Sequence, residues 1–152
     1  MEHFTIKRLQ PTDIAQAKEL IEAWQKDGFA LKNPLPADDY LHRLIADGEF
    51  HVIVAMVNDK VVGGITAYEL VMFDKEETEM FLYDIAVAKG HRNKSIAKEL
   101  IAELKKICSE KGIKIMFVGT TPDNEAAKQL YLTTGAQREI ISWFTYDLEK
   151  EA

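Results

Sequence analysis

Arg92 and Lys94 stand in a polar loop between an alternating strand, Met80 to Val87, and an amphipathic helix entered through Asn93-Lys94-Ser95-Ile96-Ala97. Two cations at a helix start suit a phosphate group. The first backbone N–H groups of a helix lack intrahelical partners and carry a partial positive charge, so a strand feeding such an end aims donors at any anion in front of it. The competing reading is an ordinary strand-to-helix connection with solvated charges. The strand also brings two carboxylates. Its period of two places Glu79 with Phe81, Tyr83, Ile85 and Val87, and Asp84 with Met80, Leu82 and Ala86, so the two acids point to opposite faces. Asp84 interrupts an otherwise apolar strand centre, where an unpaired carboxylate is costly; Glu79 sits where the strand begins. His91 lies in the loop and His3, His42 and His51 are scattered, so neither a metal cluster nor a Ser-His-Asp set is legible.

The elements around this stretch follow from pattern. Phe4 to Leu9 alternates apolar and polar, a first strand, and Pro11-Thr12-Asp13 reads as a turn and helix N-cap. Ile14, Ala17, Ile21 and Trp24 form one helical stripe closed by Gly28, and Tyr40, Leu41, Leu44 and Ile45 form another between Ala37 and Asp47. Phe50 to Val57 and Val61 to Leu70 flank Asn58-Asp59-Lys60, the composition of a tight hairpin. Gly63-Gly64 in the second of these strands marks a bulge or a close backbone approach. The helix after Ser95 has its core face at Ala97, Leu100, Ile101, Leu104 and Cys108, which makes Cys108 a small core residue. Ile113 to Gly119 reads as a fifth strand, Asn124 opens a last helix stopped by Gly135, and Ile140 to Leu148, with Trp143, Phe144 and Tyr146, reads as a sixth strand. This order predicts an α+β fold with a mixed, mostly antiparallel six-stranded sheet, because the crossover helix between the fourth and fifth strands makes those two parallel.

The 152 residues, 47% of them apolar, suffice for one domain, residues 1–152, with a core that needs neither metal nor disulfide. The single cysteine, the lack of a signal-like start and the lack of an apolar run near 18 residues make a soluble cytoplasmic protein the expectation, without a membrane partner. A net charge of −6 argues against a nucleic-acid partner and is compatible with a cationic substrate.

Two motifs carry a family resemblance. Arg92-Asn93-Lys94-Ser95-Ile96-Ala97, after a strand ending Ile85-Ala86-Val87, resembles the acyl-CoA loop of the GNAT N-acetyltransferase superfamily, Arg/Gln-x-x-Gly-x-Gly/Ala. Asn124-Glu125-Ala126-Ala127-Lys128-Gln129-Leu130-Tyr131, followed by Gly135, resembles the superfamily's later Asn-x-x-Ala-x-x-Leu-Tyr helix. The resemblance runs from about Phe4 to Leu148. It departs at Ser95, where the family has a glycine that lets backbone lie against a pyrophosphate. Serine keeps the amide and adds a hydroxymethyl group that either donates to a phosphate or crowds it.

The resemblance implies a sheet splayed between strands four and five, with acetyl-CoA as co-substrate in that cleft. It places the pantetheine and thioester against Ile85, Ala86 and Val87, the phosphates against Arg92, Asn93, Lys94, Ser95, Ile96, Ala97 and Lys98, and Asn124 against the pantetheine or its thiol end, although an Asn there is equally a helix N-cap. It makes Tyr131 the candidate general acid for the departing thiolate, against the alternative of a core tyrosine; for the base, Asp84, immediately before the acyl-binding residues, is preferred, acting directly or through a water, with Glu79 second. A finer resemblance is to the type I aminoglycoside 3-N-acetyltransferases, carried by Asp39-Tyr40-Leu41, Val61-Val62-Gly63, Ala67-Tyr68, Tyr83 to Val87 and His91-Arg92. It implies a small polycationic amine as substrate, and acids at Asp38, Asp39, Asp47, Glu49, Asp74, Glu76, Glu77, Glu79 and Asp147 are placed to attract one. The alternatives are another polyamine or amine metabolite, or a CoA-binding regulatory module without catalysis, motivated by Ser95. A homodimer paired through the aromatic final strand is a further expectation.

Overall fold

The computed structural model describes residues 2–92 and 95–150. Strands β1 (Thr5–Arg8), β2 (Phe50–Val57), β3 (Lys60–Val71), β4 (Thr78–Val87) and β5 (Met116–Phe117) form one sheet in that spatial order. The first three pairings are antiparallel and β4–β5 is parallel. The helices are α1 (Ile14–Lys26), α2 (Asp38–Ala46), α3 (Ile96–Glu110) and α4 (Glu125–Thr133). α1 and α2 cover one face of the sheet with Leu20, Trp24, Leu41 and Ile45, and α3 covers the other with Ile96, Leu100, Ile101, Leu104 and Cys108.

The β2–β3 hairpin closes through Asn58 and Asp59 with φ of 49° and 61°. Both central residues are left-handed, the geometry that matches strand twist and that Asn and Asp tolerate best. Gly63 and Gly64 mark close approaches. A Cβ on Gly64 would stand 2.7 Å from both Leu20 methyls and 2.8 Å from the Ile53 carbonyl oxygen, and one on Gly63 would stand 3.0 Å from the Ala86 carbonyl oxygen. The two glycines therefore let α1 and β4 close onto β3.

Four expectations need correction. The sheet has five strands among the described residues, not six, because residues 136–147 adopt no regular structure. The predicted alternation of Ile140 to Leu148 has no neighbouring strand to pair with, and Ile140, Trp143, Phe144 and Tyr146 are exposed. The fifth strand is two residues long rather than running from Ile113 to Gly119, since only Met116 and Phe117 pair with β4. Tyr40, assigned to the core stripe of α2, is exposed, and α2 seats on Leu41 and Ile45 instead. Asp13 precedes α1 without a side-chain cap; its carboxylate accepts from the Gln10 amide at 2.7 Å and the Lys7 ammonium at 3.1 Å.

Candidate active site

The backbone of β4 is irregular at Tyr83. Thr66 of β3 pairs with Asp84, yet the next residue, Ala67, pairs with Leu82. Tyr83 is thus an extra residue, a β-bulge, and a bulge resets the alternation of faces. Met80 and Leu82 before it, and Ile85 and Val87 after it, pack with the α3 cluster. Glu79 lies opposite Leu70 and Asp84 opposite Thr66, two residues of one parity on β3, which is paired continuously from Gly63 to Val71. Thr66 in turn lies opposite Val52, a member of the α1/α2 cluster. Both carboxylates therefore lie on the α1/α2 face, which corrects the expectation of opposite faces.

Asp84 is half-buried, and its Oδ2 accepts a 2.7 Å hydrogen bond from the Thr66 hydroxyl. Burial pushes its carboxyl above the ordinary range, with the Thr66 hydrogen bond acting the other way. A carboxylate raised in this manner is a stronger base than a solvated one. Around it lies a continuous run of rings. Centroids stand 4.9 Å apart for Phe50–Tyr68, 5.5 Å for Tyr68–Tyr83, 5.4 Å for Phe81–Tyr83 and 4.8 Å for the stacked pair Phe81–Phe117. Burial, followed by the charge of Asp84, pushes the Tyr68 phenol upward, so it stays protonated. The sequence names Tyr68 only through the finer resemblance, Phe81 only by its strand face and Tyr83 by both; the aromatic floor they form together, and Thr66, are not legible in it.

Past Phe117, β5 no longer pairs with β4, and one edge of β4 opens from Leu82 onward. The Ala88 amide donates to Val62 on the β3 side at 2.7 Å, so by alternation Ile85 and Val87 turn their amides to the open edge. The Val87 carbonyl there is taken by Arg92 Nε at 3.0 Å, and the Ala86 carbonyl accepts from the Trp24 indole at 3.2 Å. Of the three residues expected to offer free backbone, Ile85 retains most.

At the loop, Arg92 is exposed and its bond to Val87 ties it to the end of β4. Asn93 and Lys94 lie outside the described residues. Ser95 precedes α3 with φ +66° and makes no side-chain cap. The position that resembles a family glycine thus requires left-handed backbone, a reason for glycine beyond the lack of a Cβ. Ile96 is buried in the core, so only its amide can serve an anion; Ala97 is half-buried and Lys98 exposed. An exposed guanidinium, a helix start and an open strand edge in sequence fit an anionic co-substrate with an extended arm.

On α4, Asn124 Oδ1 accepts from the Ala127 amide at 3.1 Å, a side-chain N-cap. Tyr131 packs against the α3-face cluster, and burial pushes its phenol upward, keeping it a donor at neutral pH. Asp84 and Tyr131 consequently serve opposite faces of the sheet, on either side of the opening between β4 and β5. His91 is engaged by Glu2 at 2.9 Å, and Cys108 is a buried thiol that burial pushes upward, as a core residue should be. Of the acids expected at the rim, Asp38 pairs with Lys18, Glu77 with Lys75 and Lys114, and Asp147 with Lys150.

A mixed sheet parted beside a bulged strand, with a helix start at its end, defines an acyl-transfer scaffold. Residues 17–136 match the Acetyltransferase (GNAT) family, and the chain belongs to that family. An aminoglycoside acetyltransferase from an uncultured soil metagenomic sample is 30% identical with a TM-score of 0.87, over 95% of this chain and 98% of that one. A second, from an uncultured soil metagenomic sample and solved in complex with sisomicin, is 26% identical with a TM-score of 0.86, over 94% and 95%. The L-2,4-diaminobutyric acid acetyltransferase of Shouchella clausii (strain KSM-K16) is 33% identical over 52% of this chain and 43% of its own length. The chain spans less than half the length of the curated relatives it matches. Among the described residues no helix is long and apolar enough to cross a membrane.

Proposed function

We propose that the protein transfers an acetyl group from acetyl-CoA to a primary amine of a small polycationic acceptor, an aminoglycoside, at the 3-amino position that the finer resemblance implies. The observation that carries this reading is the bulge at Tyr83, which sets Asp84 and Glu79 on one ring-lined face where β4 parts from β5. Acetyl-CoA, when bound, supplies an activated acyl group and a thiolate leaving group. Arg92, the Ser95–Lys98 helix start and the open edge at Ile85 would hold it. Asp84, raised by burial, takes the proton from the ammonium or from a water beside it, since only the neutral amine attacks. The protonated phenol of Tyr131 supplies a proton on the leaving side. Ring faces at Tyr68, Tyr83 and Phe81 suit the remaining ammonium groups, each such contact contributing about 0.5–2 kcal/mol according to its desolvation. The two aminoglycoside acetyltransferases at 26% and 30% identity support the acceptor class.

The diaminobutyrate relative favours a second reading, a short diamine metabolite as acceptor. Thiol release from acetyl-CoA against a panel of aminoglycosides, diamines and monoamines separates the readings, and NMR of the product gives the position. An aminoglycoside acceptor should show a Michaelis constant that rises steeply as salt shortens the Debye length from about 10 Å at 0.1 M to about 3 Å at 1 M, while a monoamine's hardly moves. No turnover of any aminoglycoside would refute the proposal, and no thiol release with any amine of the panel would point to a CoA-binding module without catalysis.

A further inference from the structure

Thr66 stands where the ladder between β3 and β4 skips a residue. It lies opposite Asp84, and the next residue, Ala67, lies opposite Leu82. Its side chain is half-buried on the α1/α2 face, with Val52 opposite it on β2. A β-branched side chain in a strand has few choices at χ1, and the hydroxyl of this one donates to Asp84 Oδ2 at 2.7 Å. Oδ1 of Asp84 bonds to no other residue among the described residues. The charges on the surrounding elements are engaged elsewhere. On α1, Lys18 pairs with Asp38 of α2 and Glu19 accepts from the Val61 amide at 2.8 Å; on α2, Arg43 donates to the Asp39 carbonyl at 3.4 Å. Glu79 shares the face of Asp84 but lies toward the other end of β4, opposite Leu70. Tyr68 and Tyr83, with Tyr40 near Tyr68, bring phenols and no cation. What acts on the Asp84 carboxyl is therefore burial, which pushes it upward, and the Thr66 hydroxyl, which opposes burial.

We propose that Thr66 is a positioning residue for acetyl transfer: its hydroxyl holds Oδ2 of Asp84 and so presents Oδ1 to the incoming amine. This role rests on Asp84 acting as the base of the proposed reaction. A half-buried carboxylate without a partner takes up a proton, and a protonated base is idle. One donor to the charged form keeps it ionised, and this donor occupies the oxygen that the reaction does not need. At the other oxygen an N–H bond of the ammonium breaks, an O–H bond forms, and the nitrogen keeps the electron pair with which it attacks. A stiff donor also limits the carboxyl to one orientation, which is what proton transfer over a short distance requires.

Thr66→Val keeps the branched shape and strand preference and removes the donor, whereas Thr66→Ser keeps the donor. Two measurements on the full chain read the effect: a carbon-13 NMR titration of the Asp84 carboxyl in the free protein, assigned with Asp84→Asn, and the pH dependence of kcat/KM with acetyl-CoA and an aminoglycoside. In the valine variant the carboxyl should titrate at higher pH than in the parent, and the acid limb of the rate profile should move the same way. At neutral pH kcat should fall on the order of tenfold, the scale of one lost hydrogen bond to a charged group, while the KM for acetyl-CoA stays unchanged. The serine variant should follow the parent in all of these. A carboxyl that titrates alike in the valine variant and the parent would overturn the role of Thr66 and leave the proposed reaction standing. A carboxyl that moves while the acid limb stays would overturn it from the other side, by showing that Asp84 is not the base. A serine variant that behaves like the valine variant would also overturn it, since shape and not the hydroxyl would then be what matters.

Discussion

Replacing Ser95 by glycine should stabilise the fold, because Ser95 holds φ +66° without a compensating bond from its side chain. Left-handed backbone costs an L-residue roughly 1–2 kcal/mol through the approach of Cβ to the following carbonyl. Glycine removes that term and returns roughly 0.5–1 kcal/mol of it through its greater freedom in the unfolded chain. The net expectation for Ser95→Gly is a gain of about 0.5–1 kcal/mol, read as a rise in Tm of about 1–4 °C for a chain of this size. Ser95→Ala is the necessary control, since it keeps the Cβ and removes only the hydroxyl; with no cap to lose it should stay within about 0.5 kcal/mol of the parent. Calorimetry on the three proteins decides the matter, and a glycine variant no more stable than the alanine variant would refute the strain argument. Affinity for CoA on the same proteins then separates two roles of the side chain. Tighter binding in the glycine variant alone means that the Cβ or its strain opposes the cofactor, whereas weaker binding in both means that the hydroxyl donates to it.

Asp84→Asn should lower kcat by about 100- to 10,000-fold if Asp84 is the base, with rate measurements against Glu79→Gln checking the choice; a larger loss in the Glu79 variant would reverse it. The same change should raise stability at pH 7. A carboxyl whose folded pKa is raised contributes stability below its unfolded pKa, near 3.9, and loses it as pH rises through the folded value; urea titrations should therefore find the two proteins diverging as pH rises and converging in acid. Tyr131→Phe should lower kcat with little change in CoA affinity, because the phenol's proton is needed mainly as the thiolate forms, and a loss confined to stability would mark Tyr131 as a packing residue. Gly64→Ala should cost about 1–3 kcal/mol by overpacking, measured by denaturant unfolding, since the added Cβ meets the Ile53 carbonyl and Leu20 at 2.7–2.8 Å.

Periodicity made most of the fold legible. The α3 core face, the hairpin at Asn58-Asp59 and the parallel crossover into β5 rest on local propensity together with burial, and these agree along Phe50 to Glu110. It failed where pairing depends on a neighbour. Ile140 to Leu148 alternates like a strand, but alternation states only that one face seeks apolar contact and not that a partner strand stands beside it in the same chain. Tyr40 was misplaced for a similar reason: α2 is nine residues long and seats on Leu41, Leu44 and Ile45, so its remaining apolar position is left at the surface.

The site itself was legible in residue types and illegible in geometry, for one physical reason. Period two is a property of an unbroken ladder, and no residue type between Glu79 and Val87 announces the bulge at Tyr83; aromatic and acidic residues occupy regular strands equally well. Yet the bulge decides which face Asp84 occupies. Without it Asp84 would point with Leu82 into the α3 core, where its charge would have no solvent and no hydroxyl partner. With it, Asp84 turns toward Thr66 while Ile85 and Val87 continue the core, so one inserted residue brings a carboxylate to the α1/α2 face without removing an apolar side chain from the other. A bulge increases local twist, and at this one the β5 side of β4 is already unpaired, the pairing with β5 stopping at Phe81–Phe117. On the proposed function the carboxylate for the amine and the open edge for the co-substrate both depend on this bulge, so a β4 made regular by deleting Tyr83 should lose acetyl transfer, measured as thiol release, together with the Thr66–Asp84 hydrogen bond.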